Sequence, residues 1–370
     1  MDLDRRRHRR RRGRLLAAAL KPVTAAALLL LLAAAPAAWS QAAEGTLAPV
    51  TVTVQPGVQH RSFDAPASVD VVDGATLRGA QLQVNLSETL SRVPGLVVQN
   101  RQNYAQDLQI SSRGFGARST FGVRGIRLYV DGIPATGPDG QGQVSHFDLP
   151  SAARVEVLRG PLSALYGNAS GGVISLFTED GGPDTVAHLG SAFGSEGVRR
   201  HNARLSGEQG RAQYHLSVTG FRTDGWREHG AAERTTFNGK LRYAASAETR
   251  ITLVGNTVDM PDVQDPLGLT RAEYEANPRQ ATPVALTFDT RKSVRQSQLG
   301  VVLEHRAGDQ DRLQLTGWRG ERSTVQFQSI PVRCRRRPRT PAGSSTSTAT
   351  TRGWTPAGCA RRAGPARRRR

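Results

Sequence analysis

Few residues in this chain have the spacing that catalysis needs. Histidines at 146, 188, 201, 215, 229 and 305 are scattered, and no His-x-x-x-His pair or His-Glu-x-x-His signature occurs. No Gly-x-Ser-x-Gly elbow is present to raise a nucleophilic serine. Gly-x-Gly-x-x-Gly and Gly-Lys-Ser/Thr are both missing, which excludes dinucleotide and P-loop phosphate cradles. The two cysteines, Cys334 and Cys359, lie in a basic C-terminal tail, so the body before them has no thiolate metal site and no disulfide framework. Met260 is the one methionine after the initiator, too few for a thioether-rich copper site. The expectation is a protein that is not an enzyme and has no resident metal or cofactor.

The polar chemistry suits recognition better. Three loops, Tyr104-Ala-Gln106, Ala117-Arg-Ser-Thr120 and Thr136-Gly-Pro-Asp-Gly-Gln141, set Tyr, Gln and Arg among turn-forming Gly and Pro. Such side chains can bind oxygen-rich, anionic chelates. Tyr104, Gln106, Arg118, Ser119 and Gln141 are the candidate contacts; each taken singly also reads as a solvated loop position.

These loops need a scaffold, and the sequence supplies two kinds. Residues 62–178 read as a small mixed α/β domain. Asn85-Leu-Ser-Glu88 resembles a capping box, Leu86, Leu90 and Val93 share a helical face, and Pro94-Gly95 stops that helix. Val123 to Val130 reads as a strand closed by the Asp131-Gly132 turn. The run from Arg154 to Thr178 reads strand, Gly-Pro break, short helix, Gly-rich turn, strand.

Residues 183–330 change to period two. Ala212, Tyr214, Leu216 and Val218 alternate with Gln213, His215, Ser217 and Thr219; Phe237, Gly239, Leu241 and Tyr243 alternate with Asn238, Lys240 and Arg242; Leu313 and Leu315 alternate with Arg312, Gln314 and Thr316. A soluble sandwich and a membrane barrel both give this pattern. The connections separate them. Short links near 208–210, 245–247 and 306–311 alternate with longer ones at 223–233 and 258–293, as short periplasmic turns alternate with long external loops.

A formal charge of +19 suggests nucleic acid, but its distribution argues otherwise. Residues 1–21 carry net +7 and residues 331–370 net +12, which leaves 22–330 neutral. Arg5 to Arg14 and the apolar run Val23 to Ala38 read as a signal peptide over 1–42, with cleavage near Ser40 or Ala42; an uncleaved anchor is the alternative. Residues 331–370 hold no Leu, Ile, Phe, Tyr or Met. They read as a basic low-complexity tail, of the composition a GC-rich gene gives out of frame, or as a genuine tail.

The blocks Ile110-Ser-Ser-Arg-Gly-Phe-Gly-Ala-Arg118, Val123-Arg-Gly-Ile-Arg-Leu-Tyr-Val-Asp-Gly-Ile-Pro134 and Arg154 to Thr178, in this order, resemble the plug domain of TonB-dependent outer-membrane receptors. The resemblance covers about 47–330. It implies a plug followed by antiparallel transmembrane β-barrel strands, about seven or eight here, roughly a third of a barrel of about 22. It also implies that 47–54 (Leu-Ala-Pro-Val-Thr-Val-Thr-Val) is a TonB box, in which Val50, Thr51, Val52, Thr53 and Val54 pair by β-augmentation with TonB and its inner-membrane energising complex; the plain alternative is a first domain strand. Arg113 and Arg159 match plug arginines that lock the plug to barrel acids in some members. The implied function is TonB-dependent transport of a ferric siderophore or similar chelate across the outer membrane, with iron carried inside the ligand, outer-membrane lipid as surroundings and no nucleic acid. This chain reads as a truncated form. The alternative is a soluble periplasmic ligand- or protein-binding plug module.

Overall fold

The computed structural model describes residues 51–55, 58–61, 67–79, 81–119, 122–137, 139–160, 162–308, 311–329 and 344–357. The signal-peptide reading and Val50 lie outside them. No described helix is long and apolar enough to cross a membrane, which says nothing of strands.

The N-terminal part is built from short strands. A hairpin pairs β1 (Thr51–Gln55) with β2 (Val58–Arg61). There follow β3 (Ser68–Asp73), β4 (Leu96–Gln99), β5 (Gln109–Ser112), β6 (Val123–Arg124), β7 (Ile126–Val130), β8 (Ile133–Pro134), β9 (Gln141–Gly142), β10 (Ala152–Arg159) and β11 (Gly172–Thr178). The main sheet runs β3-β10-β11-β7-β8, with β10 antiparallel to both neighbours and β11 parallel to β7. Alternation decides the buried face. Val155 and Val157 register with Leu176 and Ile174, which register with Val130 and Leu128. All six are buried in one core with Leu77, Leu86, Leu90 and Val93 from the helical side.

Two local readings change. The stretch 123–130 is two strands, because β6 turns away to pair with β9 while β7 pairs with β11 and β8. The helix Ser87–Leu90 has no side-chain cap. Instead the Glu88 carboxylate accepts from the backbone N–H of Gln83, Val84 and Asn85 at 2.6, 2.9 and 2.7 Å. Only the backward half of the expected capping box is present. A complete box forms at Thr270 and Glu273, at the start of an outer-loop helix, Arg271–Ala276.

The chain then runs into one antiparallel meander: β12 (Val186–Phe193), β13 (Arg199–Gln209), β14 (Ala212–Thr223), β15 (Ala232–Ala244), β16 (Thr249–Gln264), β17 (Arg291–Arg306), β18 (Arg312–Phe327) and β19 (Ser344–Ala357). Strands of up to 16 residues exceed the roughly 9–11 that cross a bilayer core. Residues 210–211, 245–248 and 307–311 link them at one end, and the loop 265–290, with a second helix at Pro283–Phe288, at the other. The link at 194–198 is short although it lies at the long-loop end. Seven strands fall within 183–330. The eighth, β19, lies within 331–370, whose composition reads as a basic low-complexity tail. Its threonine-rich run has β-branched side chains suited to extended backbone, and it meets the edge of β18.

Burial in this wall is inverted relative to a soluble sheet. His215, Ser217 and Thr219 on β14, and Thr236, Asn238 and Lys240 on β15, are buried, while Leu216, Val218, Phe237, Leu241 and Tyr243 are exposed. The polar side faces the N-terminal domain and the apolar side faces outward. This is the pattern of an outer-membrane wall, in which lipid takes the outward positions. The fold is thus a mixed α/β plug seated against an incomplete antiparallel barrel.

Gly172 has φ +120°, and a Cβ there would lie 2.1 Å from the Leu158 carbonyl oxygen. Replacing it with alanine is expected to destabilise the plug by about 2 kcal/mol or more. Limited trypsin digestion of wild type and Gly172→Ala checks this: the variant should be cut within the plug at enzyme levels that spare the wild type.

Candidate functional site

The strands present polar groups to the plug, and the plug answers many of them, though both ring nitrogens of His215 stay unpartnered. Asp148, 3% exposed, accepts from Ser217 Oγ at 2.6 Å, Thr219 Oγ1 at 3.1 Å and Thr236 Oγ1 at 3.4 Å. Alternation on β14 puts the first two on one face, and the register Thr219↔Thr236 brings the third beside them. Three hydroxyl donors thereby satisfy a carboxylate that burial would otherwise penalise. Lys240 is equally enclosed. Its ammonium donates to Thr178 O at 2.6 Å and contacts Asp180 at 2.7 Å and Asp131 at 3.4 Å. Asp131 in turn accepts from Thr178 N and Oγ1 at 3.0 and 2.6 Å. Lys240 therefore clamps the point where the chain leaves the plug for the wall. Burial raises the Asp180 carboxyl, but Lys240 and Arg242 outweigh it and hold the pKa below the usual value.

Further contacts continue around the interface. Arg204 binds Pro150 O and Glu179, both at 2.9 Å, and Glu179 also pairs with Arg78 at 2.9 Å. Lys292 meets Asp107 at 2.9 Å, and Gln298 donates to Pro134 O at 2.8 Å. Arg322 donates to Gln143 and, at 3.2 Å, to Ser145. Gly300 leaves room for Ile133, whose Cδ1 would be 2.4 Å from a Cβ at that position.

The residues singled out in the sequence fall into separate places. Thr51 to Val54 lie in β1, docked on the plug: Thr53 N donates to Glu156 Oε2 at 2.8 Å, and Tyr166 Oη donates to Thr53 O at 3.4 Å. Arg159 contacts Asp70 at 2.6 Å and donates to Pro94 O at 2.7 Å, so its partners are within the plug. Arg113 is exposed in a turn at φ +49°, and among the described residues it makes no ion pair. Both arginines border Gly95. Tyr104 packs on Phe221 with ring centroids 5.0 Å apart, beside Val258, Met260 and Val294. Burial, aided by Glu88, raises its phenol. Gln106 and Asn103 donate to the two carboxylate oxygens of buried Asp265 at 2.5 and 2.7 Å. Tyr104 and Gln106 are thus seated against the wall and the root of the long loop. Ser119 is buried, with Oγ donating to Gly122 O at 3.0 Å, Arg118 is exposed, and Gln141 Oε1 accepts from Arg124 at 2.9 Å.

Nothing local in the sequence marks Asp148 or Asp265 as buried partners of the wall and plug. Alternation marks Ser217, Thr219 and Lys240 as the polar side of a wall but does not say what they face. Nor does it mark the outer platform. Arg227 donates to the carbonyls of Leu267 at 2.5 Å, Gln280 at 2.7 Å and Pro266 at 3.3 Å, and Arg279 lies over the Trp226 ring at 5.5 Å. Two loops distant in sequence become one surface. Among the described residues no group of three or more His, Cys, Asp or Glu is placed to hold a metal.

A family model described as the TonB-dependent receptor plug domain matches residues 61–173. The chain is 32% identical over 182 residues to a hemin receptor of Yersinia enterocolitica, covering 48% of this chain and 24% of that protein. It is 27% identical over 152 residues to a ferric enterobactin receptor of Pseudomonas aeruginosa, covering 37% and 19%. Among solved structures, the ferric citrate transporter FecA aligns with TM-score 0.61 at 21% identity, over 77% of this chain and 44% of that one. The ferric yersiniabactin uptake receptor FyuA of Yersinia pestis aligns with TM-score 0.58 at 21% identity, over 72% and 42%. Residues 61–173 thus match the plug domain of TonB-dependent receptors, and the chain is similar in fold to outer-membrane receptors of that kind. It matches about a quarter of the length of the hemin receptor.

Two predictions follow from the interface. Asp148→Ala leaves three buried hydroxyls without their acceptor and is expected to loosen the plug by about 2–3 kcal/mol; chemical denaturation followed by plug proteolysis measures it. His146, with both ring nitrogens unpartnered, is held down to about 3 by burial and by Arg322. Its folded pKa is depressed below the unfolded value, so the unfolded chain binds the proton first. Plug stability should fall as pH drops from about 6.5 toward 3, by up to about 1.4 kcal/mol per pH unit. In His146→Phe that part of the slope should vanish in pH-dependent melting.

Proposed function

We propose that this chain forms the plug and first wall strands of a receptor that carries a ferric siderophore or similar metal chelate across the outer membrane. The observation that carries the reading is the inverted burial of the wall: polar residues meet the plug, and Leu216, Val218, Phe237, Leu241 and Tyr243 face outward. A wall built so needs lipid on one side and a filled lumen on the other. The names of the relatives, receptors for hemin and for ferric enterobactin, support iron chelates as the class of cargo.

In this reading Val50 to Val54 are the segment that TonB grips. Within it, the backbone of Thr53 meets Glu156 and Tyr166 of the plug and β1 pairs with β2, backbone contacts of a kind an incoming strand can replace. Arg159, tied to Asp70 and Pro94 O, keeps the plug closed from within, and Arg113 stands beside it for a partner on the wall. The exposed Arg118 and the surface around Gln141 receive ligand, while Tyr104 and Gln106 transmit its arrival to Asp265 and the long loop.

Uptake of a radiolabelled ferric chelate by cells expressing the receptor tests this. Deleting 47–54 should leave binding at the surface intact and abolish uptake; unchanged uptake sinks the assignment. Fractionation supplies the second arm. A wall strand protein requires detergent for release, whereas recovery in the salt-soluble periplasmic fraction favours a soluble plug module.

A further inference from the structure

A cleft of about 760 Å³ opens between the plug sheet and the wall strands β15 to β18. Its size falls within the range of sites for drug-sized ligands. It lies toward the end of the wall with short turns, since Arg250 and Arg312 adjoin the links 245–248 and 307–311. The outer loops and the apex residues Tyr104 and Arg118 are not among its lining residues. It is therefore distinct from the outward recognition surface.

The lining is aromatic and basic. Tyr129 and Tyr166 meet edge to face at 5.6 Å, and Phe177 and Trp318 also line the space. The acids that line it are already engaged: Asp131 by Thr178 and Lys240, Asp180 by Lys240 and Arg242, and Glu304 by Arg250 at 3.9 Å. Arg127 and Arg312 have no ion-pair partner among the described residues, and the Arg127 Nε is buried without a hydrogen bond. A guanidinium without an ion-pair partner can take an anion that enters the cleft. Thr53 of β1 also lines the cleft, held there by Glu156 and Tyr166.

We infer that this cleft is a transit site, on the inner side of the plug, for anionic metal complexes with oxygen ligands and aromatic rings, bordered by the strand that carries Thr53. The guanidinium of Arg127 supplies charge and donors, and the aromatic side chains stack on the rings of the complex. The inference rests on the transport reading. It adds that cargo is held a second time after passing the plug apex, and that moving β1 changes the border of that second site.

Equilibrium dialysis against opened outer-membrane vesicles containing the chain provides the test. One probe is tris(catecholato)gallium(III), a trianion; the other is the neutral tris(acetohydroxamato)gallium(III). The trianion should be retained, and the neutral complex at least tenfold less. Arg127→Glu and, separately, the exposed Arg312→Glu should each weaken trianion retention about tenfold or more, while Arg127→Lys restores part of it. The substitutions Arg118→Gln and Trp226→Ala on the outward side should leave retention in the opened vesicles unchanged. Equal retention of both probes, no retention by the unsubstituted chain, or indifference to both Glu variants overturns the cleft. If the outward variants alone matter, the cleft fails and the transport reading survives. If the chain is not in the vesicles at all, it is the transport reading that fails.

Discussion

The structure depends on a sheet that turns its apolar face away from the rest of the molecule. In a soluble sheet the apolar side would be drawn against the core, because water gains from its removal. Here Leu216, Val218, Phe237 and Leu241 point outward, and His215, Ser217, Thr236 and Lys240 are buried. Burial of that polar side is costly unless its groups find partners, since an unpaired buried polar atom, as at His215, costs more than a made hydrogen bond gains. The plug is that partner. Its Asp148, Asp131, Asp107 and the carbonyls of Pro134 and Pro150 are spaced to meet the wall's hydroxyls, amides and cations.

A polar interface of this kind is strong in aggregate and still separable. Its hydrogen bonds and ion pairs are contacts that water can replace, and they surround smaller apolar contacts of Tyr104 and Ile133 with the wall. The contacts are also unevenly distributed. Lys240 gathers Asp131, Thr178 and Asp180 where the plug passes into the wall. At the opposite extreme, β1 touches the plug through Thr53 to Glu156 and Tyr166. The exit of the plug is tied by charge, whereas β1 pairs along its length with β2 and meets the plug at Thr53.

The outer end obeys a different rule. There the polar backbone is satisfied between loops: Arg227 collects carbonyls from residues 266 to 280, and Asp265 at the root of the same loop receives Asn103 and Gln106 from the plug. Loop position and plug apex are thereby coupled through one buried carboxylate.

Much of this was legible in the sequence because period-two alternation and Gly-rich turns are local. The alternation at 212–219 and 237–243 fixes which side chains share a face whatever lies beyond, and the glycine at 172 marks a backbone that no other residue tolerates. Catalytic motifs leave local traces too, and none was found. What the tertiary structure decided was partnership. Arg159 reads as a lock to the wall but is tied to Asp70 and Pro94 O, a choice made by the β3–β10 register. Tyr104 and Gln106 read as ligand contacts but are seated against Phe221 and Asp265, residues more than a hundred positions away. The threonine-rich run at 344–357 has strand propensity, yet only the edge of β18 makes it a strand. Sequence sets the conformations and faces available to each segment. Which distant charge or edge meets that face depends on how the chain closes in space, because a hydrogen bond is specified by the positions of both its ends.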